Sequence, residues 1–204
     1  MYLPPFLVLR ANGDFEPYRP YIQAVLDNAW SRTAEMPPYR LLELRFFADH
    51  LDLRHRMPSA KTLAGRTVLM NAPSPALIGE AECYALAHAI LYLTDLGRAS
   101  AQAGGTSLAA YIGGLLSTLV GVNVIDGNFD LVSELLLAAG CLHLEGSYEI
   151  DAAWLELNRA QWADGCITPR RQVRVEDLVR APSGRALFHA TTVFAMACAA
   201  WVGG

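Results

Sequence analysis

The sequence predicts an all-α protein made of about four antiparallel helical hairpins. Four segments share one apolar helical pattern, and each carries an ionisable residue at the same place in it. Stretches that recur every 20–50 residues or so are typical of stacked supersecondary units. Apolar residues make up 53% of the chain and charged residues 18%, which indicates that much of the helix surface is buried. The aligned residues lie in LLELRFFADHL, ALAHAILYLTDL, LVSELLLAAGCL and ALFHATTVFAMAC, and they are Glu43, His88, Glu134 and His189.

Eight helices are predicted in chain order from apolar residues that recur at helical spacing. In the first helix, for example, Ile22, Val25 and Leu26 follow a 3.6-residue rhythm. Paired in sequence, the eight helices give four hairpins. They are expected over 17–33, 38–52, 59–70, 78–96, 106–122, 130–144, 150–165 and 184–202.

Capping and breaking residues set the limits of these predicted helices. Ser59, Asp151 and either Asn128 or Asp130 are the residue types that cap a helix N-terminus. Glycine and proline end helices. These breaks are MPP at 36–38, NAPSP at 71–75, Gly97, DGN at 126–128 and Gly146.

One connection is long for a compact domain. It runs over 166–183 and contains RQVRVEDLV, whose alternation suits a short strand, a ribbon or a further helix. Long loops of this kind often cover sites. With 204 residues the chain has the length of one domain, so we predict a single domain over 1–204.

Charge and cysteine content narrow the function classes. The net charge is −4, which gives no electrostatic reason to expect nucleic acid or an anionic membrane as a partner. The four cysteines are far apart and form no CxxC pattern, so free thiols in a reducing compartment are expected. The N-terminal stretch lacks the basic start and the cleavage site of a signal peptide. These features predict a cytoplasmic protein.

A membrane span is the alternative for the segment from 99 to 125, which carries no charge. Against it, the segment contains five glycines and several polar residues, and positive residues do not cluster at its flanks. We therefore predict a buried helix there.

The segment LLLAAGCLHLEGSYEIDAAWLELNRAQWADG resembles the helical repeats of α/α-toroid proteins. This architecture is shared by terpene cyclases, protein prenyltransferase β-subunits and lanthipeptide cyclases. The stretches YALAHAILYLTDLG and DLVSELLLAAGCL also resemble a family of uncharacterised helical proteins common in actinobacteria. Toroid repeats often read WL-x-x-Q-x-x-DG, and the matching residues are Trp154, Leu155, Asn158, Arg159 and Asp164-Gly165.

The resemblance implies a ring of helical hairpins, but it transfers no site residue. The Asp/Cys/His zinc ligands of prenyltransferase β-subunits, the Cys/Cys/His ligands of lanthipeptide cyclases and the acidic motif of squalene-type cyclases are absent as continuous motifs. Eight helices are too few for six hairpins. We therefore expect a small α/α barrel-like domain or an incomplete toroid.

The four aligned residues form a candidate metal site. Two imidazoles with one or two carboxylates suit Fe(II), Mn(II) or Zn(II). We predict that His88 and His189 bind the metal and that Glu134 or Glu43 completes its coordination sphere. The remaining one of these two carboxylates would act as a catalytic base. Each ligand comes from a different hairpin, so the prediction has no support from EXXH or HEXXH spacing.

Two other interpretations use the same residues. Without a metal, buried glutamate and histidine side chains would serve as general acid and base. In a purely structural role, Glu43 with His88, or Glu134 with His189, would form pairs that fix the helix register.

Two further carboxylates lie near the aligned residues in the sequence. Asp95 follows His88 by two helical turns, and we predict a catalytic role for it, although it also suits the helix end beside Gly97. Asp130 precedes Glu134 by one turn and suits either a second carboxylate or an N-cap.

The function expected from the sequence is a small cytoplasmic enzyme of secondary metabolism or peptide tailoring. Its substrate would be small and apolar or peptide-like, and an oligomer is compatible with the composition. No nucleotide cofactor is expected, because GxGxxG and Walker motifs are absent. The rivals are a helical scaffold that binds a peptide or protein, and a metal-free acid–base isomerase or cyclase.

Overall fold

A computed structural model of the protein describes residues 3–28, 33–71, 73–99, 106–144, 146–171 and 184–202, and these residues form helices and no strand. The predicted all-α class is therefore confirmed. The nine α-helices in this part of the chain are α1 Pro4–Ala11, α2 Arg19–Asp27, α3 Pro38–His50, α4 Ala60–Ala64, α5 Glu80–Leu93, α6 Thr106–Asp126, α7 Phe129–Cys141, α8 Tyr148–Ala160 and α9 Gly184–Val202.

Local signals explain where several helices begin. Ser59 caps α4 as predicted, because its hydroxyl accepts a hydrogen bond from the Thr62 amide at 3.1 Å. Asn128 caps α7 through the Leu131 amide. The expected cap at Asp151 was wrong, because α8 begins three residues earlier, at Tyr148. Its N-cap is Ser147, whose hydroxyl accepts a hydrogen bond from the Ile150 amide.

One helix was not expected, one expected helix is shorter than predicted, and one expected segment lies mostly outside the described residues. Helix α1 was not predicted, and it begins with Pro4 and Pro5, which suit a first helical turn. The helix expected over 59–70 is shorter, because α4 is followed by a separate 3₁₀ turn at Val68–Asn71. Most of RQVRVEDLV falls in 172–183, outside the described residues.

The chain divides into two compact units, Met1–Asn71 and Ala72–Gly204. In the first unit, α3 packs against α1 and α4. The guanidinium of Arg19 on α2 donates to the carbonyls of Leu51 and Asp52, at 2.9 and 3.1 Å, and so ties α2 to the turn after α3. The core of this unit includes the fully buried residues Leu3, Phe15, Leu42, Leu51 and Leu63.

In the second unit, α7 is the central helix. All thirteen of its residues are buried, and it packs against α5, α6 and α9. Helix α8 packs mainly on α6. The α6–α7 hairpin turns at Gly127, whose φ of +67° favours glycine and whose missing Cβ leaves room for Arg171. A helix buried on every side accepts an ionisable residue only if its neighbours supply partners.

The contact between α7 and α9 is close at Gly140. A Cβ at this position would lie 2.9 Å from the indole of Trp201 and 3.0 Å from the Cβ of Ala200. The Trp201 indole N–H donates to the carbonyl of Leu136 at 2.8 Å. This contact fixes the C-terminal half of α9 against the central helix.

None of the helices in the described ranges is long and apolar enough to cross a membrane. The segment considered as a span forms most of α6, which buries Ile112, Leu115, Leu116, Leu119 and Val120 within the second unit.

Candidate functional site

Three of the four aligned residues meet in the second unit. Glu134 lies in the middle of α7, and each oxygen of its carboxylate faces one imidazole. Glu134 Oε2 lies 3.3 Å from His88 Nε2, contributed by α5. Glu134 Oε1 lies 3.6 Å from His189 Nε2, contributed by α9. The apolar pattern thus correctly placed residues from three helices on facing surfaces.

Asp130 and Tyr84 extend this cluster on one side. Asp130 is one turn before Glu134 on α7, so both carboxylates project from the same face. Its Oδ1 atom lies 3.6 Å from His189 Nε2, and its Oδ2 atom accepts a hydrogen bond of 2.7 Å from the Tyr84 hydroxyl. Tyr84 is in turn one turn before His88 on α5. We call Tyr84, His88, Asp130, Glu134 and His189 the carboxylate–imidazole cluster.

Burial within the cluster is uneven. The side chain of Glu134 is only 3% exposed, and those of Asp130 and His88 are largely buried. His88 also lies between the rings of Tyr84 and Tyr92, with centroids 6.4 and 6.0 Å away. The side chain of His189, in contrast, is 55% exposed. The cluster therefore presents one imidazole to solvent and holds two carboxylates behind it.

The electrostatics of the cluster follow from this packing. Burial raises the pKa of Glu134, but the imidazoles of His189 and His88 outweigh burial and lower it to about 2. The Glu134 carboxylate raises the pKa of His189, which partial burial opposes and Asp130 supports. Burial, and then the hydrogen bond to Asp130, raise the pKa of Tyr84. At neutral pH the cluster therefore holds an ionised Glu134, and the proton affinity of His189 is enhanced.

These shifts predict how stability depends on pH. The lowered pKa of Glu134 contributes stability above its unfolded value of 4.5, and that contribution is lost as the pH falls toward about 2. The raised pKa of His189 contributes below its unfolded value of 6.5, and that contribution is lost as the pH rises through the folded value. Urea unfolding across this range should therefore show greatest stability between about pH 4.5 and 6.5. In the His189→Gln variant, the part of the fall in unfolding free energy at higher pH that is due to His189 should disappear. An unchanged dependence of stability on pH above 6.5 would contradict the assignment of this fall to His189.

Glu43, the fourth aligned residue, belongs to the first unit. Its Oε2 atom accepts a hydrogen bond of 2.7 Å from Arg40, three residues earlier on α3. Together the two residues line a cavity of about 310 Å³ with mostly apolar walls that include Leu44 and Phe47. Its predicted roles as metal ligand and catalytic carboxylate remain predictions.

Asp95 lies just beyond α5, in a turn whose backbone is left-handed. Its φ is 49°, and the φ values of Leu96 and Gly97 are 56° and 86°. The Leu96 amide donates to the Leu91 carbonyl at 2.8 Å, which closes the end of the helix. The structure thus places Asp95 at the helix end, and its catalytic role stays a prediction.

Metal binding was predicted from ligand types. Across the described ranges, no group of three or more His, Cys, Asp or Glu side chains has an arrangement suited to holding a metal ion. The cysteines are free thiols, and burial raises the pKa of Cys83 and Cys141. The assignment of Fe, Mn or Zn to His88, His189 and Glu134 remains a prediction.

Sequence reasoning undervalued two members of the cluster. Of the two roles predicted for Asp130, a second carboxylate or an N-cap, the structure shows the first, because Asn128 caps α7 and the Asp130 carboxylate turns toward Tyr84 and His189. Tyr84 was not singled out from the sequence. The signal for both was the spacing of four residues, which pairs Asp130 with Glu134 on one helix and Tyr84 with His88 on another.

Comparison with known proteins identifies a family without indicating an activity. No curated protein and no solved structure matches the chain. A family model described as a domain of unknown function, DUF6895, matches residues 2–199 and so spans both units. Because the match covers nearly the whole chain, the protein belongs to the DUF6895 family.

Proposed function

We propose that the protein is a small cytoplasmic enzyme that transfers protons on a small apolar or peptide-like molecule, with His189 as the group that exchanges protons with the substrate. The observation that carries the proposal is an exposed imidazole whose Nε2 atom lies 3.6 Å from two buried carboxylates, Asp130 and Glu134. A carboxylate behind a histidine orients the ring and stabilises its protonated form. An imidazole titrating near neutral pH is the commonest general acid and base.

The two ring nitrogens of His189 would have different roles. Nε2 faces the carboxylates and keeps its proton, so Nδ1 is the atom that accepts a proton from the substrate. The resulting imidazolium is stabilised by Glu134 and Asp130, and Tyr84 holds Asp130 in place. Return of the proton to another substrate atom completes an isomerisation without a net change of the enzyme.

A probe reaction that needs only a general base tests this proposal. In 5-nitrobenzisoxazole, removal of the ring C–H proton breaks the N–O bond and releases a coloured phenolate. A positioned base typically contributes about 10²–10⁴-fold to a rate, so we expect at least about a tenfold loss in His189→Gln. The Glu134→Gln variant should show a smaller loss and a pH–rate profile shifted to lower pH, because the imidazolium loses its partner.

A matched control is available in the first unit. His55 Nε2 lies 2.7 Å from Asp49 Oδ1, and its side chain is largely buried. The His55→Gln variant should keep the wild-type rate. Equal rates for the wild type and His189→Gln, with both proteins folded by circular dichroism, would overturn the proposal.

A divalent metal on the same side chains is the second candidate. What favours it is that Nε2 atoms from two helices face opposite oxygens of one carboxylate. Elemental analysis of protein purified without chelator, compared with His88→Ala and His189→Ala, separates the two proposals. Near-stoichiometric metal that disappears in both variants would support Lewis-acid chemistry at the cluster. The helical scaffold expected as a rival would instead show neither metal nor base activity.

A further inference from the structure

Helix α9 exposes a continuous uncharged stripe. Between Leu187 and Val202 it contains no Asp, Glu, Lys or Arg. Five of its exposed residues follow one another at intervals of 4, 3, 4 and 3, which is the spacing of a coiled-coil seam. We call these residues the α9 seam: Phe188, Thr192, Ala195, Ala199 and Val202.

The seam is more apolar than its composition suggests. Phe188 is 71% exposed and Val202 is 88% exposed, so a large apolar side chain faces solvent at each end of the seam. The hydroxyl of Thr192 donates to the Phe188 carbonyl at 2.7 Å, so its hydrogen-bonding need is met within the helix. The inner face of α9, with Val193 and Phe194, is already buried. The seam is thus a second apolar face on a helix whose first face has a partner.

We propose that the seam binds the same seam of a second copy, so that two α9 helices pack antiparallel about an axis through Ala195. In this orientation the large Phe188 of one copy faces Val202 and the small Ala199 of the other. A parallel pair would instead place Phe188 against Phe188 and leave the alanines opposite one another. The antiparallel pair is therefore the better match of size.

Area and charge support a second copy as the occupant. From the exposed fractions, a second copy that covered the whole seam, with Met196 and His189 on its margin, would bury up to about 500–600 Å² per copy, or about 1,000–1,200 Å² in a dimer, the lower end of specific interfaces. A seam without charge offers no ion pair for a differently charged partner and matches itself. In the antiparallel pair, the last carbonyls of α9 in one copy would lie at the level of His189 in the other. These carbonyls are the negative end of the helix dipole, which stabilises a cation, and the raised pKa of His189 favours its protonated form.

The inference does not depend on the proposed reaction, since it rests on the seam alone. It does have a consequence for the cluster. His189 is next to Phe188, and the second copy would cover part of its exposed ring. The dimer would thus supply part of the surroundings of the exposed imidazole.

Sedimentation equilibrium of the full chain tests the proposal. We expect a wild-type dimer, and at least about a tenfold rise in its dissociation constant in Ala195→Arg and Phe188→Glu, with unchanged circular dichroism. Ile125→Glu is the matched control, because Ile125 is an equally exposed apolar residue of the same unit on α6. It should remain dimeric. A wild-type monomer at about 100 µM, or a dimer that survives Ala195→Arg, would overturn the proposal.

Disulfide trapping tests the orientation and does not depend on tolerance of a charge. In a Cys198→Ser background, Ala195→Cys should form an intermolecular disulfide under mild oxidation, because this position lies on the axis. Phe188→Cys should not, because the two copies of this position are at opposite ends of the seam. Efficient crosslinking through Phe188→Cys, or none through Ala195→Cys, would contradict the antiparallel pair.

Discussion

Replacing Glu134 with alanine is expected to destabilise the second unit by about 3–5 kcal/mol, because it removes a buried carboxylate that faces the largely buried imidazole of His88 and the exposed imidazole of His189. The carboxylate is 3% exposed and faces His88 at 3.3 Å and His189 at 3.6 Å. Without it, His88 loses this contact, and the removed side chain leaves a cavity beside the central helix. Urea unfolding followed by tryptophan fluorescence measures the loss, since Trp154, Trp162 and Trp201 all belong to this unit.

Glu80→Ala is the matched control for this variant. Glu80 is on the same unit, and its ion pair with Arg170 is exposed on both sides. Such pairs contribute about 0–1 kcal/mol, so Glu80→Ala should change the free energy of unfolding very little. A loss below about 1 kcal/mol in Glu134→Ala would contradict the view that the cluster holds an ionised Glu134 in place.

A combined apolar variant separates stability from function. Replacing both His88 and Glu134 with leucine removes the two facing polar side chains together, and apolar replacement of both members of a buried pair is often neutral or stabilising. We expect the double variant to recover most of the stability lost in Glu134→Ala, and to show a reduced rate in the probe reaction like that of Glu134→Gln, because His189 and Asp130 remain. A rate equal to that of the wild type would show that Glu134 and His88 have only a structural role.

Gly140→Val is expected to destabilise the second unit by about 2–4 kcal/mol, because overpacking typically costs about 1–3 kcal/mol and a lost hydrogen bond about 0.5–1.5 kcal/mol. The new Cβ would lie 2.9 Å from the indole of Trp201. The ring must then move away from the Leu136 carbonyl that it binds at 2.8 Å. The same unfolding measurement applies.

Gly114→Ala on α6 provides the opposite control. No atom lies within 4 Å of the Cβ it would introduce, so the substitution only adds helix propensity. It should stabilise the unit by up to about 1 kcal/mol. Adding Trp201→Leu to Gly140→Val should reduce the cost of the latter, because it removes the ring that clashes. Simple additivity of the two changes would show that the clash is not the cause.

The long apolar helices were predictable from sequence, whereas several ends were not. Helices α6, α7 and α9 were predictable because each is a long and mostly apolar run without a proline. Helix α5 was expected to reach residue 96 but ends at Leu93. The helix ends there because three residues in a row, Asp95 to Gly97, have left-handed backbone. An aspartate followed by a leucine in the sequence does not predict this conformation.

The site could be predicted only as far as the sequence shows which face of each helix a residue lies on. Aligning the apolar pattern placed His88, Glu134 and His189 on facing helix surfaces, and these three do meet. The pattern could not show that Asn128 would cap α7 and leave the Asp130 carboxylate for His189. Two neighbouring polar residues of the same capping class compete equally in sequence, and only packing decides between them.

The burial of α7 on all sides has a consequence for synthesis on the ribosome. Helix α7 is complete when residue 141 has emerged, but α9, which covers one of its faces and contributes His189, is made about 45–60 residues later. During that interval an apolar helix carrying Asp130 and Glu134 lacks part of its cover. Until α9 is made, Tyr84 and His88 can already contact the two carboxylates, but the partner that His189 supplies is missing, so the last helix is needed to complete the core.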